Sequence, residues 1–298
     1  MGTMAEPIFL ITGATGYLGR WLVRRADTHG MVYAASRRPL AAAQPGTPVR
    51  FDVADRDAVL RAVDEIKPTV IIHAAAVNPG QGDDDSMWRV NAEGSAHVAE
   101  GARDCGSRLV AVSTDVVFDG RRAPYGDAAA ANPINHYGRS KAAGESGVLT
   151  FSPDAAVVRT SLMYDLEDMD RGTAGFVERL SRGEPLVLFS DVLRNPIRVD
   201  TLAEALVRLA KTAYSGTLNV AGRQALSREA FGRVMLEHWG VDTEDLIQSN
   251  RAADVSDSIP LDLRLVVERA QRLLGMDLAG VDTVVGSASE ARGRWPRG

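Results

Sequence analysis

The sequence predicts an α/β protein: a Rossmann-like doubly wound parallel sheet with a smaller mixed α/β lobe that would bind substrate. Three observations carry this. Apolar β-type runs alternate with helical patterns six times before residue 162, which is how a parallel sheet covered by helices on both faces is written. A glycine turn of spacing G-x-x-G-x-x-G, from Gly13 to Gly19, follows the first run directly and opens a helix. After Tyr164 the periodicity weakens and the composition turns acidic, which marks a change of lobe. The expected division is a dinucleotide-binding domain over 7–162 and a smaller lobe mainly over 163–279, with re-entry of the chain into the first domain near 190–220. A flexible tail is expected over 280–298.

The bulk properties narrow the function. The chain has 298 residues, 45% hydrophobic and 24% charged, and a formal net charge of -5, so neither a nucleic acid nor an acidic membrane surface suits it as the main partner. A small ligand does. The single cysteine, Cys105, excludes an intramolecular disulfide and a cysteine-based zinc site and fits a reducing compartment. There is no apolar run of membrane-spanning length and no secretory pattern at the start. The expectation is a cytoplasmic monomer or homodimer without a metal.

The first strand, 8–12, runs into the glycine turn, and a helix follows through Trp21, Leu22, Val23 and Ala26. Glycine lets the backbone turn sharply and approach a pyrophosphate, whose charge meets the unpaired N–H groups of the helix start. Gly13, Thr15, Gly16, Tyr17 and Leu18 are therefore candidate cofactor residues. The second strand, 31–35, ends in Ser36-Arg37-Arg38, where an NAD site would carry an acid for the ribose. Arg37 and Arg38 suit a 2′-phosphate instead, so NADP(H) is favoured and NAD(H) left open; a solvated basic turn is the bland alternative. A third strand over 49–53 would bring Asp52 and Val53 to an adenine edge, unless Asp52 caps a helix.

A helix over 55–66 leads to a strand over 69–73 that opens onto Ala74-Ala75-Ala76, whose small side chains let a flat cofactor lie against the backbone. His73, inside an apolar run, reads as a core histidine. Residues 78–86 read as a loop whose Asp83-Asp84-Asp85 is solvated or supplies negative charge to a helix start, and 87–105 as a helix carrying Asn91.

The stretch 109–141 is the candidate reaction centre. An apolar run over 109–112 delivers Ser113 and Thr114 to the end of a buried strand, and Tyr137 and Lys141, four apart, share one face of a helix. A phenol is a poor acid at neutral pH, and a neighbouring ammonium favours its ionised form, so Lys141 would tune Tyr137 as proton donor while Thr114 orients a carbonyl. Alone, Tyr-x-x-x-Lys also arises by chance on exposed helices. A sixth strand over 155–160 completes the alternation. Beyond it come an acidic loop over 164–172, a helix over 176–181, a short strand over 185–188, a helix over 201–212, β-type residues over 217–220, and helices over 228–239 and 263–274. Arg194 and Arg198 precede the 201–212 helix and suit either a ligand diphosphate or surface ion pairs.

Together, Thr12-Gly13-x-x-Gly16-x-x-Gly19, Asp52, Ala74-Ala75, Asn91, Ser113-Thr114-Asp115 and Tyr137-x-x-x-Lys141 resemble the extended short-chain dehydrogenase/reductases. The phrase from Ser113 to Gly120, with Tyr137 to Glu145, is more narrowly similar to the dTDP-4-dehydrorhamnose reductase family, and the resemblance covers nearly the whole chain. It implies NADPH-dependent reduction of a 4-keto group on a nucleotide-linked, dTDP-type 6-deoxysugar. By position, Tyr137 would donate the proton, Lys141 would tune it and bind the ribose, and Thr114 would orient the keto oxygen. Ser113 and Asn91 would lie beside the cofactor, Asn91 in a structural role, with Val77, Asp115, Val116, Arg194 and Arg198 towards the substrate. Two positions depart from the pattern: Val116 stands where members carry a tyrosine, and 165–170 is unusually acidic. The related 4,6-dehydratases carry Thr-Asp-Glu where this chain has Thr114-Asp115-Val116, and the 4-epimerases hold NAD tightly. A non-catalytic NADP-binding partner, similar to the regulatory subunit of methionine adenosyltransferase, would share the motif set.

Overall fold

The apolar runs become one seven-stranded parallel sheet. In the computed structural model, which describes residues 6–41, 44–241 and 246–293, the first half of the chain forms β1 (Ile8–Thr12), α1 (Tyr17–Asp27), β2 (Met31–Ser36), β3 (Thr47–Arg50), α2 (Arg56–Ile66) and β4 (Val70–His73). Then come α3 (Asp84–Trp88), α4 (Gly94–Cys105), β5 (Arg108–Thr114), α5 (His136–Phe151) and β6 (Ala156–Thr160). The second half gives β7 (Met163–Tyr164), α6 (Arg171–Ser181), β8 (Leu186–Phe189), β9 (Leu193–Arg194), β10 (Ile197–Arg198), α7 (Val199–Ala210), β11 (Gly216–Asn219), β12 (Leu226–Ser227), α8 (Arg228–His238), β13 (Ile247–Asn250), α9 (Glu268–Leu274) and α10 (Val281–Gly293). The sheet order is β11-β6-β5-β4-β1-β2-β3.

Strand alternation sorts the core into two faces. Phe9 and Ile11 of β1 pack with Leu22, Val23, Leu202 and Leu206 of α1 and α7, whereas Leu10 faces Val59, Val63, Val98 and Val148 of α2, α4 and α5. The chain does re-enter the sheet: α7 covers one face, and β11 pairs with β6, Thr217 opposite Val157. Strand order reverses between β1 and β4, which opens a crevice at the carboxyl ends of the strands.

Several elements depart from expectation, each for a local reason. The third strand ends at Arg50, because the Asp52 carboxylate accepts the N–H of Ala54 at 3.0 Å and turns the chain. The helix expected over 87–105 is interrupted by a π-helical segment, Arg89–Glu93, which turns Asn91 fully into the interior. Helix α6 starts at Arg171 because Asp170 caps it, accepting from Gly172 N at 2.8 Å and Thr173 N at 3.1 Å. Asp83 caps α3 in the same way through Ser86 N at 2.8 Å, which accounts for part of the acidic run. In the segment expected to be helical over 263–274, Leu265 instead bridges Tyr125 and the helix begins at Glu268. The expected tail is helix α10 as far as Gly293: Val281 is buried, and Val284 and Val285 pack against Tyr164, Phe231 and Met235. Residues 294–298 lie outside the described residues.

Candidate active site

The crevice is a cleft of about 1140 Å³, larger than the roughly 300–1,000 Å³ of pockets that hold one drug-sized ligand. Gly13, Thr15, Gly16, Tyr17 and Leu18 line one end of it, with Arg37, Arg38, Asp52, Val53 and the Ala74–Ala75–Ala76 strip. The turn is tight enough to exclude side chains. Gly13 has φ +73°, and a Cβ there would stand 2.7 Å from Ala75 N; at Gly19 it would stand 2.0 Å from the Gly13 carbonyl. Gly16 N donates to the Gly13 carbonyl at 2.8 Å, and no side chain caps the start of α1, so the N–H groups of its first turn face an anion site.

Beneath the alanine strip lies a buried relay. The Thr12 hydroxyl is 2.7 Å from His73 Nδ1, and His73 Nε2 is 3.0 Å from Ser95 Oγ, which itself donates to the Asn91 carbonyl at 2.7 Å. Ser95 has therefore spent its proton, so Nε2 carries the imidazole hydrogen and Nδ1 accepts from Thr12. Burial, seconded by the Lys141 charge, pushes His73 down to about 3 and keeps it neutral. It is the core histidine expected from the sequence.

Thr114, Tyr137 and Lys141 meet at the end of β5. Helix α5 delivers the last two, its start fixed by Asn135 accepting from Gly138 N at 2.8 Å. Lys141 Nζ donates to the Val112 carbonyl at 2.8 Å, and burial lowers it to about 8 against the opposing pull of Glu145. Tyr137 goes the other way: burial, and then the Asp115 charge, push the phenol up to about 12, while Arg194 and the Thr114 hydroxyl act to lower it. The expected lowering by Lys141 is not what governs the phenol in this geometry, because the ammonium is bonded to the backbone of β5. A phenol held in its protonated form is a proton donor.

Asp115 sits directly behind this group, fully buried. Arg194 clamps both of its oxygens, from Nε at 2.6 Å to Oδ2 and from Nη2 to Oδ1, and Ser161 Oγ donates at 2.6 Å. Ser113 is fixed by the second buried ion pair, donating to Glu145 Oε1 at 2.6 Å while Arg159 holds Glu145 Oε2 at 2.7 Å.

Of the residues expected at the cleft, four lie elsewhere. Asn91 spends its amide on Val77 N at 2.8 Å, Val77 O at 2.9 Å and Ser140 Oγ at 3.1 Å, so it braces the loop after β4 and does not line the cleft. Val77 is the buried partner in that brace. Asp115 is turned from the cleft into its ion pair. Arg198 directly precedes α7 without capping it and pairs with Asp200 at 3.2 Å, outside the cleft. Val116 and Arg194 do line it. The acidic stretch is largely engaged within the protein: Asp168 pairs with Arg20 at 2.8 Å, Asp170 caps α6, and Asp165 is buried, its carboxyl pushed up by burial. The cleft also holds Arg228, which the sequence marked only as the start of a helix.

Residues 8–279 match the family model of the RmlD substrate binding domain. The chain belongs to the RmlD family. It is an oxidoreductase of the extended short-chain dehydrogenase/reductase type. Its relatives include the dTDP-4-keto-6-deoxy-D-glucose reductase of Streptomyces niveus, 35% identical over 223 residues that make up 71% of each chain. The methionine adenosyltransferase 2 subunit beta of Danio rerio is 34% identical over 191 residues, 61% of this chain and 53% of that one. Among solved structures, the dTDP-4-dehydrorhamnose reductase of Bacillus anthracis in complex with NADP superposes with a TM-score of 0.80 at 23% identity, covering 96% of this chain and 99% of that one. For this RmlD-family chain, no helix among the described residues is long and apolar enough to cross a membrane, and no cluster among them could hold a metal.

Proposed function

We propose that this chain reduces the 4-keto group of a nucleotide-linked 6-deoxysugar, in the first instance a dTDP sugar, with NADPH as reductant and Tyr137 as proton donor. The observation that carries it is the half-buried Tyr137 phenol, raised by burial, beside Thr114 in a cleft whose other end suits a dinucleotide. The cleft fits that cofactor: a Cβ at Gly13 or Gly19 would collide with backbone, and Ala74–Ala75–Ala76 present nothing larger than a methyl group. Arg38 stands beside Arg37 at the end of β2, where a 2′-phosphate would sit, and Arg37 is already shared with Asp52 at 3.6 Å.

When bound, the reduced nicotinamide supplies a hydride to the carbonyl carbon. Tyr137 gives its phenolic proton to the carbonyl oxygen, and Thr114 orients that oxygen by turning its hydroxyl away from Asp115 Oδ1, 3.2 Å distant. Lys141, held on the Val112 carbonyl at 2.8 Å, lines the same cleft and would bind the cofactor ribose. Hydride and proton together convert ketone to alcohol and leave oxidised cofactor. Val116 offers the sugar only an apolar contact. We assign the dinucleotide to 7–162 and the sugar nucleotide mainly to 163–279, in a cytoplasmic monomer or homodimer without a metal; the lone Cys105 and the anionic substrate support that setting.

The test follows the loss of reduced-nicotinamide absorbance with NADPH or NADH and a dTDP-4-keto-6-deoxysugar. Oxidation that prefers NADPH is expected. The likeness to the methionine adenosyltransferase subunit favours a second reading, a non-catalytic NADP-binding partner. Tight NADPH binding without turnover on any nucleotide-linked keto-sugar would support that reading and overturn the first.

A further inference from the structure

The charges along the cleft are nearly all spoken for. Arg37 shares Asp52, Lys141 donates to the Val112 carbonyl, Arg171 donates to the Gly80 carbonyl at 3.3 Å, and Arg194 holds Asp115 with two contacts. Arg228 is the exception at the substrate end. Its backbone N–H donates to the Val192 carbonyl at 2.9 Å, yet its guanidinium has no hydrogen bond, ion pair or ring contact among the described residues.

The placement is built into the lobe. Strand β12 pairs antiparallel with β9, Leu226 opposite Arg194 and Ser227 opposite Leu193, so the next residue, Arg228, emerges beside Arg194. Burial, and then the Arg194 charge, depress the Arg228 guanidinium from its ordinary range; Asp170 and Asp115 act in the opposite sense. Neither carboxylate bonds it, because Asp115 is taken by Arg194 and Ser161 and Asp170 by Gly172 and Thr173. A partly desolvated guanidinium with no protein acceptor is completed by an anion from outside, and its planar fork matches the oxygens of a phosphate.

We infer that Arg228 is the principal receptor for the diphosphate of the substrate. Arg194 commits Nε and Nη2 to a fully buried carboxylate, so it serves first as a positioning group for Asp115, with Nη1 its one unengaged nitrogen. The inference rests on the reading of the substrate as a nucleotide sugar. It makes Arg228 the specificity-determining residue that distinguishes a sugar nucleotide from a free keto-sugar.

The experiment is calorimetric titration of the NADP+-saturated full chain with dTDP, using wild type, Arg228→Gln and Arg228→Lys. Loss of a hydrogen-bonded charge contact predicts dTDP binding about 10- to 100-fold weaker in Arg228→Gln. Affinity for NADP+ and the Tm should not change, and lysine should restore part of the loss. In turnover, KM for the sugar nucleotide should rise with kcat little altered. Equal dTDP affinity in wild type and Arg228→Gln would overturn the assignment of Arg228 while leaving the substrate reading in place. A wild-type chain that does not bind dTDP at all would overturn both.

Discussion

Replacing Arg194 by glutamine should cost the fold about 3 kcal/mol, through the charge it leaves behind. Asp115 is fully buried, and the Arg194 side chain is 12% exposed, so this is not a surface pair whose loss water would repair. Removing one partner of a buried pair costs about 3–5 kcal/mol, since the remaining charge must be desolvated alone. Here Ser161 and Thr114 still donate to the carboxylate, at 2.6 and 3.2 Å, which places the expectation at the lower end of that range. Urea unfolding of the full chain reads the difference, and the slope of the transition should not change. Adding Asp115→Asn removes the stranded charge, so the double variant should be more stable than the sum of the two single losses by at least about 1.5 kcal/mol. Single losses that simply add to within about 0.5 kcal/mol, or an Arg194→Gln chain with the wild-type midpoint, would refute the argument that the pair is a closed unit.

Four further outcomes are expected. Tyr137→Phe should bind NADPH as wild type does and turn over at least about 100-fold more slowly, the scale of a lost general acid; a near-normal rate would remove the phenol from the chemistry. Arg38→Ser should weaken NADPH by about 10-fold or more and leave NADH unaffected, as read by fluorescence titration of each cofactor. Gly19→Ala would set a methyl group 2.0 Å from the Gly13 carbonyl, so cofactor binding should be lost, and retained affinity would mean the turn can open. His73, pushed down to about 3 by burial, stays neutral in the fold while it protonates in the unfolded chain near its ordinary 6.5. The unfolded state thus binds the extra proton between those values, and stability falls as pH falls through that window by up to about 1.4 kcal/mol per pH unit. His73→Gln should flatten that part of the pH profile of unfolding.

The first half was legible because its central strands, β1, β4, β5 and β6, are buried on both faces and so appear as unbroken apolar runs, and because a tight turn admits only glycine at Gly13 and Gly19. What the sequence conveys poorly is direction. Asn91 and Asp115 stand next in the chain to cleft residues, and Arg198 four beyond Arg194, yet their side chains turn to Val77, Arg194 and Asp200. Arg228 shows the converse, since nothing in its immediate sequence separates a cleft arginine from those of the solvated helices. The distinction comes from the β9–β12 pairing, a contact between distant segments. Helix α10 was missed because its packed stripe among the described residues, Val281, Val284, Val285 and Ala288, has one buried member and three only partly buried, a weak apolar signal.

The closing of the sheet by β11 bears on how this architecture can be divided. Because Gly216–Asn219 returns to pair with β6 after the chain has already visited the second lobe, the lobe is threaded through the dinucleotide unit twice. A fragment ending near residue 162 would present the unsatisfied edge of β6 and the bare face that Leu202 and Leu206 cover, inviting edge-to-edge aggregation. Exchanging substrate lobes between homologues therefore requires at least two crossovers, one on each side of the α7–β11 return. Single-junction chimeras will sever the sheet before they alter ligand choice.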